Sequence, residues 1–178
     1  STPDRHGIVG NGWYDRGLCE VQFWKQANRL VQGEKIWDKL RSKRQGFTCA
    51  NMFWWYNMYS SVDFSCTPRP CYPADGRKLP DIYTHPPELK ENLGKDLGNF
   101  PLFRFWGPGT NLESSAWIAA ATRHIMCNKS PDLVLSYLPH MDYVLQREGP
   151  DGPHVGRDLM DLLGCIDHLM ATAKQQNY

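Results

Sequence analysis

Leu133 to Pro150 reads LVLSYLPHMDYVLQREGP, and how this stretch is read decides the fold. Leu133-Val134-Leu135 is a short apolar run of the kind that forms a buried strand. Such a strand delivers Pro139, His140, Met141 and Asp142 to a loop at its C-terminal end, where open α/β sheets gather their chemistry. A carboxylate set there, followed by the Gly149-Pro150 break and a long amphipathic helix, points to a metal or phosphate site. A strand exit with a solvated Asp142 accounts for the same residues.

Working outward, the flanking segments carry helical periodicity. Val155 to Lys174 places Val155, Leu159, Leu162, Leu163, Ile166, Leu169, Met170 and Ala173 on one apolar stripe. Leu112 to Asn128 does the same with Trp117, Ile118, Ala121 and Ile125, and takes Ser114 or Ser115 as its cap. Pro87 to Leu97 reads as a short helix with proline in its first turn. Gly33-Glu34 opens another helix to about Lys43, with Ile36, Trp37 and Leu40 inward; its Lys and Arg residues form a solvated face. Helix, strand and helix in succession give the rhythm of a layered α/β fold.

A second strand, Phe47 to Phe53, runs into Phe53-Trp54-Trp55-Tyr56, an aromatic cluster suited to a pocket or an interface. Trp13 to Glu20 reads as a hairpin turning at Asp15-Arg16-Gly17. Before it, Gly7, Gly10 and Gly12 mark a tight turn in a loop. Asn57 to Pro87 holds six of the thirteen prolines and is expected to lack regular elements, as an ordered excursion over a pocket. Its Arg69, Arg77 and Lys78 either meet an anionic ligand or pair with Asp63, Asp75 and Asp81.

The chain has 178 residues, 41% hydrophobic and 22% charged, with a formal net charge of +1. That length fits one core and one domain. The charge balance gives no basic surface for a nucleic-acid duplex. No apolar run approaches the roughly 18 residues of a membrane span. Six cysteines follow no metal-knuckle spacing and read mainly as free, buried or semi-buried thiols. Cys66 and Cys71 are near enough in sequence to bridge, although the stiff Thr67-Pro68-Arg69-Pro70 between them works against it.

Two segments together carry a resemblance. Pro3, His6-Gly7-Ile8-Val9-Gly10-Asn11 and Tyr14-Asp15 are similar to the P-x-x-H-G-I-x-x-N segment of the type I phosphodiesterase and nucleotide pyrophosphatase family, within the alkaline phosphatase superfamily. Asp132 to Tyr137, leading to Asp142 and Gly149-Pro150, is similar to that family's strand ending in P-D-x-x-G-H-x-x-G-P. The resemblance implies an alkaline-phosphatase-like layered fold. It also implies two divalent metal ions, zinc above all, and hydrolysis of a small phosphodiester or nucleotide-like pyrophosphate. Asn11 matches the amide that contacts a non-bridging phosphate oxygen, and an amide NH₂ suits that role because it stabilises charge without titrating. Asp142 matches a metal-ligating Asp, a hard ligand for a divalent cation.

Gln146 stands where the family places a His, four residues after the metal Asp. Its carbonyl oxygen shifts the expectation towards magnesium, manganese or calcium, unless His140 or His154 fills the place. His140 is considered because residues two apart on an extended segment point the same way. Trp54, Trp55 and Tyr56 are expected to stack on a flat substrate group, with Arg69 or Lys78 as anion contacts. By the same resemblance the nucleophile is expected before Ser1 and the later Asp-His ligands beyond Tyr178. Residues 1–178 would then be the central part of a larger catalytic domain whose flanking segments complete the site. The other reading is a non-catalytic member that binds a ligand or partner through its aromatic excursion.

Overall fold

From the N-terminus, one helical turn (α1, Pro3–His6) precedes a hairpin of β1 (Gly12–Asp15) and β2 (Glu20–Phe23) in the computed structural model, which describes residues 2–178. Then come α2 (Ile36–Lys43), β3 (Cys49–Met52), β4 (Phe64–Pro68) and β5 (Ile82–His85). The helices α3 (Leu89–Leu97), α4 (Leu102–Phe105) and α5 (Leu112–Lys129) follow, and β6 (Leu133–Ser136), α6 (His140–Glu148) and α7 (Val155–Gln175) complete the order. The hairpin turns where Asp15 Oδ1 accepts from the amides of Gly17 and Leu18, at 2.9 and 3.1 Å. At the open end of the hairpin Gly12 pairs with Phe23, and a Cβ at residue 12 would meet the Phe23 ring at 2.4 Å.

Four strands form the main sheet in the order β5-β4-β3-β6, with β3 parallel to both neighbours and β5 antiparallel at one edge. In register, Cys49 faces Leu133 and Met52 faces Ser136. Every residue of β3 is buried, as a central strand covered on both faces requires. Alternation then divides the side chains. Ala50, Met52, Cys66 and Val134 pack with α5, whose Ile118, Ala121 and Ile125 are wholly buried. Cys49, Val62, Leu133 and Leu135 pack with Trp37 of α2 and with Phe47 on the other face. The result is the helix–sheet–helix layering expected of an α/β chain, on a mostly parallel sheet.

Asp132 fastens the start of β6 to β3. Its Oδ2 accepts from the Thr48 amide at 2.8 Å, and Arg44 pairs with Oδ1 at 2.9 Å. At the other end, Phe53 leaves β3 with φ +57°. This left-handed turn in a bulky residue costs on the order of 1–3 kcal/mol. It is held because the Phe53 ring is 4.7 Å from Phe100 and 5.9 Å from Trp117 in the core. Asn57 closes the turn, donating to the carbonyls of Asn51 and Cys66 at 2.8 and 3.0 Å.

Four expectations need correction. The proline-rich Asn57 to Pro87 segment contributes two strands, β4 and β5, because its prolines fall at the last residue of β4, between the strands and after β5. The helix α5 is capped by Asn111, whose side chain accepts from the Glu113 amide, while Ser114 and Ser115 lie inside the first turn and are buried. Asp142 belongs to α6 rather than to a loop. That helix stops at Gly149, whose φ of +78° a residue with a Cβ rarely adopts. All six cysteines are free thiols, and Cys19, Cys71 and Cys127 are exposed rather than buried.

Candidate functional site

The parallel strands β3 and β6 end side by side, so the aromatic run after Met52 and the Tyr137 to Asp142 segment after Ser136 emerge at one sheet edge. The Tyr137 amide donates to the Met52 carbonyl at 3.1 Å, carrying the pairing one step past β6. Trp55 lies above this junction, its ring 5.9 Å from Tyr137 and stacked at 5.7 Å on Trp24, which follows the hairpin.

A cleft of about 530 Å³ opens here. Asn11, Trp55, Asp142 and Gln146 all border it, together with Arg147 and Trp106. Asp142 and Gln146 are four apart on α6 and therefore share a helix face. The carboxylate of Asp142 sits in the first turn of α6, where the helix dipole favours negative charge. Its Oδ2 accepts from the Tyr137 hydroxyl. Burial, then this bond, pushes the Tyr137 hydroxyl above its ordinary range, so it stays a donor at neutral pH.

Trp54 borders a small adjoining cavity with Phe53 and Trp106, and Tyr56 borders another with Asn11 and Trp55. Lys78 lies 5.0 Å over the Trp106 ring, beside the cleft and outside its lining. Arg69 borders a separate cavity beside the hairpin. Of the acidic partners considered for this segment, Asp75 pairs with Arg77, whereas Asp63 pairs with Arg41 and Asp81 with Lys90.

Neither His140 nor His154 borders the cleft with Asp142. His140 opens α6, and residues two apart on a helix diverge, so its ring turns towards α7 while Asp142 faces the cleft. The extended-chain reasoning that paired the two does not apply once residue 140 is helical. Burial lowers the His140 pKa from its ordinary value against the opposing pull of Asp158. His154 precedes α7, with Nδ1 2.8 Å from Glu148 Oε1, and this contact holds the Glu148 carboxyl below its usual range.

The two divalent ions implied by the resemblance can be tested against these donors. Asp142 and Gln146 supply a carboxylate and an amide oxygen on one face, and no histidine borders the cleft among the described residues. An oxygen-only set fits magnesium, manganese or calcium better than zinc. Tyr137 engages one Asp142 oxygen and leaves Oδ1 for a cation, the arrangement that orients metal-bound carboxylates. Sequence reading missed Trp24, Trp106, Tyr137 and Arg147. Only Arg147, a cation next to Gln146, carried a local signal.

No helix among the described residues is long and apolar enough to cross a membrane. A family model described as type I phosphodiesterase / nucleotide pyrophosphatase matches residues 1–178. No curated protein matches the chain.

Proposed function

Since the chain belongs to the type I phosphodiesterase / nucleotide pyrophosphatase family, a family of phosphate-ester hydrolases, we propose that its cleft serves metal-dependent hydrolysis of a phosphodiester or pyrophosphate. The observation that carries this reading is the convergence of Asn11 and Asp142, distant in sequence, on one cleft beside Trp55. Asp142, with Gln146 beside it, holds a divalent cation through oxygen donors. The cation, when bound, supplies Lewis-acid stabilisation of charge on phosphoryl oxygens. Asn11 donates its side-chain N–H to a non-bridging oxygen, and Arg147 balances phosphate charge. Trp55, stacked on Trp24, offers a flat apolar face to a base or aryl group.

The test is hydrolysis of an aryl phosphodiester and an aryl phosphomonoester by the protein as its gene encodes it, with magnesium, manganese, calcium or zinc supplied singly. A metal-dependent preference for the diester is expected, abolished by Asp142→Ala. Full activity in Asp142→Ala would remove this residue from the site.

Gln146 and the absence of a cleft histidine among the described residues favour a second reading, a ligand-binding member without turnover. Saturable binding of a nucleotide to the gene-encoded protein, with no product formed under any of the four metals, would select it.

A further inference from the structure

Where α6 packs on α7, in a hollow that adjoins the cleft through Tyr143 and Arg147, His140 meets Asp158 and Asp161. His140 is 4% exposed and both its ring nitrogens are buried without a hydrogen-bond partner. A buried imidazole left unsatisfied on both sides requires an explanation, since such groups nearly always have partners. Asp158, 3% exposed, presents Oδ2 at 3.8 Å from His140 Nε2. That is too long for a hydrogen bond. It is close to the separation of roughly 3.4 Å between two ligands on a tetrahedral cation with bonds of about 2.0–2.1 Å.

We propose that His140, Asp158 and Asp161 form a divalent-cation site joining α6 to α7, separate from the cleft that holds Asp142. Ligand atoms of the three residues all lie within 4.8 Å of one another. Ligands opposite each other across a cation sit about 4.2 Å apart at bonds near 2.1 Å, so small side-chain rotations close the set. Arg157 donates to Asp158 Oδ1 at 3.2 Å, leaving Oδ2 turned to His140. This division of the carboxylate fixes a ligand's orientation from outside the coordination sphere. One imidazole nitrogen with two carboxylates suits zinc, with manganese next, over the all-oxygen preference of magnesium and calcium. Two carboxylates, one from buried Asp158 and one from exposed Asp161, also match the charge of a dication. The inference stands independently of the activity proposed for the cleft.

The experiment measures zinc retained at equilibrium dialysis, with zinc alone as probe, on the whole chain carrying Asp142→Ala to silence the cleft. One equivalent is expected. Asp161 is exposed, so adding Asp161→Asn leaves the fold in place, checked by circular dichroism, and weakens zinc at least about tenfold, since even outer-sphere losses cost roughly 10–100-fold. X-ray absorption of the bound zinc is expected to show one imidazole. No retained zinc, or equal affinity with and without Asp161→Asn, overturns the site and leaves a buried water between His140 and Asp158 as the occupant. Neither result bears on Asp142→Ala activity, which tests the cleft alone.

Discussion

The Tyr137 hydroxyl donates to Oδ2 of Asp142, tying the backbone that leaves β6 to the first turn of α6. A carboxylate held from one side presents its other oxygen in a defined direction, which lowers the ordering cost of binding a cation. Tyr137→Phe keeps the ring against Trp55 and removes only that bond. Divalent-cation affinity at the cleft, measured by calorimetry in an Asp161→Asn background, is expected to fall roughly tenfold. Unchanged affinity would show that Tyr137 does not orient Asp142.

Gln146→His places an imidazole one helical turn from Asp142, on the same face. Zinc affinity at the cleft is expected to rise at least about tenfold, with little gain for magnesium, because imidazole is the better ligand for the softer ion. A parallel zinc and magnesium titration reads the difference. An equal response of both ions would argue that Gln146 does not face the cation.

Asn57 is fully buried and bonds the ends of β3 and β4 together. Asn57→Ala removes two interior hydrogen bonds at roughly 1 kcal/mol each and leaves a small void, so a loss of about 2 kcal/mol or more is expected in urea denaturation. Tryptophan emission should also shift, since Trp54 and Trp55 lie in the turn that Asn57 closes. A loss below about 0.5 kcal/mol, the range of neutral surface changes, would contradict this anchoring role.

The Asp132 carboxyl is held below its ordinary pKa chiefly by the Thr48 amide, aided by the Thr48 hydroxyl and by Arg44. A depressed folded-state pKa means stabilisation that is full above the unfolded value near 3.9 and lost as pH falls through the folded value. The urea midpoint of the wild type is therefore expected to drop more steeply on acidification below about pH 4–5 than that of Asp132→Asn. Parallel pH profiles would count against the linkage.

The strand at Leu133 and the aromatic exit at Phe53 were legible because each is a local run of apolar side chains. The helix α6 was not. Met141, Val144 and Leu145 carry helical spacing, but the preceding strand and Pro139 read equally well as the start of a loop. Reading residue 140 as extended then sent His140 to the wrong face relative to Asp142. The strand β4 was hidden for a different reason: Ser65, Cys66 and Thr67 are buried by the layers around them, without the strongly apolar signature of a central strand. Trp24 joins Trp55 only through tertiary packing, which no local pattern encodes. Asn11 and Asp142 were identified by resemblance, and their common cleft is a property of the fold.

The two-faced character of α6 limits how the protein can be redesigned. Asp142, Tyr143, Gln146 and Arg147 are committed to the cleft, His140 and Val144 to the interior, and Glu148 to His154. Exposed Leu145 remains as the position where a protein engineer could attach a label or tune solubility without rewriting the chemistry on one side or the packing on the other.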